Sequence, residues 1–221
     1  MYRSFFYPTR LALLAVGRNF MPMAWWMPAS KEPFRFLLAV DRKNHTLSLL
    51  RELSEAALAF YPWEERAWVV RAGYLSGGRV DKARRLGVPL RPACCLAHTQ
   101  VPEGALAVYE MRVSEWPWDG DHALFMGEVV HVEGSAEAKE RPILFLGFRD
   151  FATLVEIQVV AQAPQNGGGA DHMAVTFLEL LVFGGRNRFL KEFDRTINHH
   201  DDRAQRWDGD RGAPISLRDP K

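Results

Sequence analysis

The 221-residue chain suits one domain with an extension better than two full domains, and its 48% hydrophobic content is that of a globular protein. The 28 Lys and Arg nearly balance 27 Asp and Glu, so bulk charge gives no reason to expect nucleic-acid or membrane binding. The two cysteines, Cys94 and Cys95, are adjacent and have no second pair, which excludes a four-cysteine zinc site and fits reduced thiols in a cytoplasmic protein.

The opening MYRSFFYPTR lacks the basic, apolar and small-residue succession of a signal peptide. Leu11 to Val16 is a short apolar run ending at Gly17, and reads as a buried strand far too short to span a bilayer. Met21 to Ser30 (MPMAWWMPAS) reads as a loop rich in Met, Trp and Pro, and Phe36 to Val40 as a second buried strand. Leu50, Leu53, Ala57 and Phe60 recur at steps of three and four, predicting a helix capped at Asn44 or Thr46 and ended by Pro62. A second short helix follows Pro62, with Glu64 and Glu65 in its first turn. Ser76-Gly77-Gly78 breaks the chain, and Val80 to Leu86 reads as a helix stopped by Gly87.

The period then changes to two. Tyr109, Met111 and Val113 alternate with Glu110, Arg112 and Ser114, predicting a strand. Asp119-Gly120 signals a turn, after which Ala123 to Glu133, Ile143 to Leu146 and Thr153 to Val160 read as strands. Gln165 to Gly169 reads as a flexible joint, and Val175 to Phe183 as a strand or a helix. The remaining tail, rich in Arg, Asp and Asn, reads as an arm or a mobile end. Strands interrupted by one helical insertion imply a mainly β antiparallel barrel with a few helices.

Two segments suggest chemistry. Met21 to Pro28 offers polarizable walls, with small Ala24 allowing close approach of a flat ring to the backbone. The same composition also describes a packed core loop. Arg42 to Thr46 joins cations and a hydroxyl to a helix start, where an anion is favoured, or it is simply a solvated capped helix. His122 follows Asp121, so a carboxylate can orient it, although it also reads as a hairpin histidine. His199-His200-Asp201-Asp202 and Asp208-Gly209-Asp210 read as solvated tail, and no metal site is expected.

Six further groupings occur in a set order: Tyr7-Pro8-Thr9-Arg10; Met23-Ala24-Trp25 with Pro28 and Ser30; Arg42 with His45-Thr46; Ser76 to Lys82; Gly120-Asp121-His122 with Phe125 to Val129; and Pro142 to Leu146. Together they resemble the flavin reductase-like, FMN-binding split-barrel family of the flavoredoxin type, from roughly Tyr7 to Leu154.

The resemblance implies a six-stranded antiparallel Greek-key split barrel over residues 1–160, with residues 161–221 as a C-terminal extension. It implies a homodimer that binds FMN, takes electrons from NADH or NADPH, and passes them to a monooxygenase or another acceptor protein. Met23, Ala24 and Trp25 would line the flavin ring, and Ser30 would meet the ribityl chain or phosphate. Arg42, His45 and Thr46 would bind the phosphate region, with Asp81 and Lys82 nearby. His122 would stand by the reactive face as the catalytic candidate. Trp26 doubles the tryptophan of the flavin loop, and either stacks on the ring or fills its place. Phe145 and Phe151 replace tyrosines common in the family. An FMN-binding electron carrier without reductase activity and a barrel that has lost its flavin are the alternatives.

Overall fold

A computed structural model of the chain describes residues 6–135, 141–147, 150–160 and 174–183. The expected joint at Gln165 to Gly169 and the polar tail after Gly184 lie outside the described residues.

The short strand β1 (Thr9–Arg10) leads into β2 (Ala12–Val16), every residue of which is buried. Gly17, with φ of 59°, then turns the chain back as β3 (Asn19–Met23). Ala24 and Trp25 link β3 to β4 (Trp26–Lys31), which pairs with β5 (Phe34–Asp41). Helix α1 (His45–Leu53) follows, then strand β6 (Glu55–Phe60). A single 3₁₀ turn at Trp63–Glu65, α2 (Arg66–Ala72) and α3 (Lys82–Leu86) make the helical insertion. The short hairpin strands β7 (Leu90–Pro92) and β8 (Gln100–Pro102) lead to long β9 (Ala107–Trp116) and β10 (His122–Gly134). Strands β11 (Leu144–Gly147), β12 (Asp150–Val160) and β13 (Ala174–Phe183) complete the described chain.

The main sheet has the order β3-β2-β6-β9-β10-β5-β4, and every pairing is antiparallel. Its two edges, β3 and β4, are consecutive in sequence with only Ala24 and Trp25 between them. The sheet must therefore roll until its edges meet, which makes a split barrel whose split lies at those two residues. Leu14, Met21, Met23, Leu38, Leu58, Met111 and Phe125 pack in one cluster inside the roll. Leu13, Phe20, Ala57, Ala59 and Val108 face the other way, against Val69, Ala72 and Ala83 of the helices and Ile143 beside the second sheet. That second sheet has the order β1-β11-β12-β13, and Val175 to Phe183, the segment read as strand or helix, lies in strand β13 paired along β12. No helix among the described residues is long and apolar enough to cross a membrane.

Two expectations are corrected. The predicted helix stops at Leu53, where Ser54 turns left-handed with φ of 53° and its N–H returns to the Leu50 carbonyl. Glu55–Phe60 is instead a central strand between β2 and β9, covered on both faces. Its alternation is hidden because Ala57 and Ala59 are as apolar as Ala56 and Leu58 across the sheet. The segment from Met21 to Ser30 is mostly strand. Its prolines misled because β3 and β4 are edges, where an absent N–H leaves no ladder bond unmade.

Candidate functional site

The split brings the ends of several elements together. The Ala39 N–H donates to the Trp25 carbonyl at 3.0 Å, which fixes Trp25 beside the last residues of β5. Across β5, Asp41 pairs with His122, the first residue of β10. The two side chains then meet, with the Trp25 and His122 ring centroids 4.4 Å apart and 31° from parallel. The Trp25 indole N–H donates to the Tyr7 hydroxyl at 3.1 Å, and the Tyr7 ring stands edge-on to Phe145. Phe145 thus backs an aromatic chain that ends at the Trp25–His122 face.

His122 is oriented from its other side. Its Nδ1 lies 2.7 Å from Asp121 Oδ1, and the hydrogen bond from His122 holds the Asp121 carboxyl below its ordinary range. A carboxylate partner favours the proton on Nδ1. The turn that carries both residues is held by Arg42. Its Nε donates to the Gly120 carbonyl at 2.7 Å, its Nη2 to the Trp118 carbonyl at 2.6 Å, and its backbone N–H to the Asp121 carbonyl at 3.3 Å. Arg42, expected to bind phosphate, thus holds this turn through Nε and Nη2.

The start of α1 follows directly from β5. Asn44 caps it, accepting from the Thr46 N–H, while its own amide reaches Met21 Sδ. Buried Thr46 accepts from Asn19 Nδ2 at 2.9 Å. Asn19 Oδ1 is buried and has no partner among the described residues. It lies against Gly77, where an added Cβ would come within 2.0 Å of it. Gly78 is packed on His45 in the same way, with an added Cβ 3.3 Å from the ring. Gly77 and Gly78 thus pack closely on Asn19 and His45, and a side chain at either position would press on them.

Asp81 and Lys82 follow these glycines in the chain. Asp81 caps α3 through the Arg84 N–H and pairs with exposed Arg18. The Lys82 ammonium is buried and donates to the carbonyls of Phe20 at 2.7 Å and Ala72 at 3.0 Å. Burial pushes its pKa down to about 8. Both residues thus hold the chain on either side of Asn19, at Arg18 and Phe20.

The remaining expected residues are placed differently. Ala24 is half-buried at the split beside Trp25. Met23 is buried inside the barrel, so its side chain is core. Ser30 pairs with Arg35, whereas Trp25 bonds to Ala39, so Ser30 lies toward the far end of the β4–β5 hairpin from the other site residues. Trp26 turns inward between Phe36 and Phe60, with its indole N–H on the Arg10 carbonyl at 3.0 Å. Asn19 and Arg42's latch escaped the sequence. Asn19 follows a Gly-Arg turn and reads as an ordinary turn residue, and an arginine's partners depend on a loop 76 to 78 residues away. Among the described residues, no three His, Cys, Asp or Glu side chains are grouped to hold a metal ion.

Residues 1–154 match the family model described as a flavin reductase like domain. An uncharacterized protein of Archaeoglobus fulgidus is 32% identical over 131 residues, which are 58% of this chain and 73% of that protein. The solved structure of an FMN-binding protein from Thermus thermophilus with bound p-hydroxybenzaldehyde aligns at 28% identity with a TM-score of 0.61, covering 69% of this chain and 94% of the other. Flavoredoxin from Methanosarcina acetivorans shares the fold at 18% identity, with a TM-score of 0.63 over 75% of this chain and 93% of its own.

Proposed function

The chain belongs to the flavin reductase-like family, and from that premise we propose that it binds FMN between the split and the start of α1 and uses it as an NAD(P)H-dependent flavin oxidoreductase. One observation carries the reading. Within six residues of β5 and its continuation, Ala39 fixes Trp25, Asp41 pairs with His122, and Asn44 caps α1. A flat aromatic wall and an anion-favouring helix start therefore lie along one short stretch of backbone, as a planar ring joined to a phosphate requires.

The residues fit the group at both ends. Ala24 and Trp25 supply an apolar ring surface, and His122 adds a polar edge. His45, Thr46 and Asn19 stand at and beside the start of α1, where the unmet Asn19 oxygen suits a donating ribityl hydroxyl and the helix N-terminus favours a phosphate. When bound, FMN supplies two-electron redox chemistry between a nicotinamide donor and an acceptor. Trp25 orients the ring by its stack with His122 and its bond to Tyr7. Asp121 keeps the His122 proton on Nδ1, and Arg42 keeps the turn in place, so His122 presents a fixed face to whatever lies against Trp25. Asp81 and Lys82 stiffen the chain around Asn19 and act on affinity from behind.

Exposed Met27, Trp116 and Trp118 support assembly as a homodimer, since apolar side chains of this size favour burial. A monooxygenase or another acceptor protein is the proposed destination of the electrons. Titrating FMN with the protein tests the reading. Quenching of flavin fluorescence that saturates near one FMN per chain is expected, and unquenched FMN overturns it.

A further inference from the structure

The adjacent thiols Cys94 and Cys95 take no part in the site above, yet the backbone that carries them is held by two buried carboxylates. Buried Glu110 on β9 accepts the Cys94 N–H on one carboxylate oxygen and the Cys95 N–H on the other, each at 2.6 Å. Buried Glu55 on β6 accepts the N–H groups of Ala97, His98 and Thr99, and Arg112 joins Glu55 to the Cys95 carbonyl. Burial pushes the Glu55 carboxyl up, but the donors from His98, Thr99 and Ala97 outweigh it and leave the group below its ordinary range. Two carboxylates from neighbouring strands thus pin the arch from Cys94 to Thr99, while both cysteines remain exposed.

We propose that Cys94 and Cys95 form a reversible two-electron thiol switch, closing to a disulfide under hydrogen peroxide and loosening the arch that Glu110 holds. The chemistry balances. One thiol, as thiolate, attacks a peroxide oxygen and becomes a sulfenic acid as the O–O bond breaks and water leaves. The neighbouring thiol then attacks that sulfur, forming the S–S bond and releasing a second water. Two thiols are oxidised and one peroxide is reduced.

The geometric consequence follows from chain spacing. Consecutive Cα atoms lie about 3.8 Å apart across a trans peptide. Disulfides ordinarily span roughly 4.4–6.8 Å between Cα atoms. A ring between neighbours therefore distorts the peptide that links them, and the N–H of that peptide is the one Cys95 gives to Glu110. Closing the ring pulls this donor off a buried carboxylate, so the oxidised chain loses part of its hold on the arch, and a reductant that reopens the ring restores it.

The test uses the full chain, reduced and then treated with one equivalent of hydrogen peroxide. Both thiols are expected to disappear together, with loss of two hydrogens from the intact mass and a peptide map linking Cys94 to Cys95. Amide exchange at Cys94 to Thr99 is expected to rise at least about tenfold and to recover fully with a dithiol reductant. Cys95→Ser, an exposed substitution that keeps the fold, is expected to consume peroxide without any change in exchange. Independent oxidation to sulfinic acids, disulfides only between chains, or a closed disulfide with unchanged exchange would each overturn the proposal.

Discussion

The two ends of the candidate site are built on opposite principles. At the split, Trp25 and His122 are half-exposed side chains steered by partners outside the barrel core: Tyr7, Asp121 and the Arg42-held turn. At the start of α1, Asn19 and Thr46 are buried side chains bonded to each other, braced by Lys82 and covered by glycine. One end is positioned but open; the other is enclosed and stiff. They should therefore fail differently when altered. Damage at the α1 end should be felt in stability and flavin affinity, and damage at the split in turnover.

The largest effect is expected from Lys82→Met, which leaves the buried carbonyls of Phe20 and Ala72 without their donor. A loss of about 2–3 kcal/mol in unfolding free energy near neutral pH is expected from urea denaturation. The pH dependence sharpens the point. The folded pKa is about 8 against 10.5 for a free lysine, so between those values the unfolded chain binds the extra proton. Wild-type stability therefore gains up to about 3 kcal/mol from this group as pH rises through that window, because the neutral amine still donates to both carbonyls. The variant lacks that gain, and the gap between the two should widen from pH 8 to 10.5.

Gly77→Ala comes next. Its Cβ meets Asn19 Oδ1, which cannot swing aside without giving up Thr46. FMN affinity measured by fluorescence quenching is expected to fall about thirtyfold, or about 2 kcal/mol, with turnover at saturating FMN little changed. At the split the pattern should reverse. Arg42→Ala frees the turn, and His122→Ala removes the stacked ring; each is expected to lower turnover about tenfold while FMN affinity stays within about threefold. Retained flavin with unchanged turnover in His122→Ala would remove that residue from the reaction.

The smallest contrast lies between neighbours. Trp26→Phe is expected to lose about 1 kcal/mol of stability through its bond to Arg10 and its packing, without touching FMN affinity. Trp25→Phe should do the converse, shifting the bound-flavin absorbance and lowering turnover a few-fold while the melting temperature holds.

The same contrast explains what was readable from sequence. The β9 alternation and the Asp119-Gly120 turn were plain because each is a local signal, as was the Gly87 stop of α3, where φ is 67°. The strand Glu55–Phe60 was not, because a central strand covered on both faces carries no alternation and its alanines fit helical spacing equally well. Ordered motifs named Trp25 and His122, whose rings stack, and His45 and Thr46, which open α1. They could not assign roles that depend on distant partners. Arg42 also latches the turn before His122, and Lys82 braces the Phe20 and Ala72 carbonyls. Ser30 was separated from its group by strand register, since a few residues along a hairpin move a side chain more than about 10 Å. Glu110 reads as the polar half of an alternating strand, yet it is fully buried because a loop 15 residues earlier gives it two amide donors.

The central claim is that this barrel holds FMN and reduces it with a nicotinamide. The most direct measurement is the visible spectrum of the FMN-loaded protein under anaerobic conditions, recorded before and after NADH and then NADPH. The account predicts a protein-perturbed flavin band that bleaches within seconds of adding one of the two nucleotides and returns with air. A bound flavin band that neither nucleotide bleaches would contradict the reductase activity and leave an electron carrier. An unperturbed spectrum of free FMN would contradict the site itself.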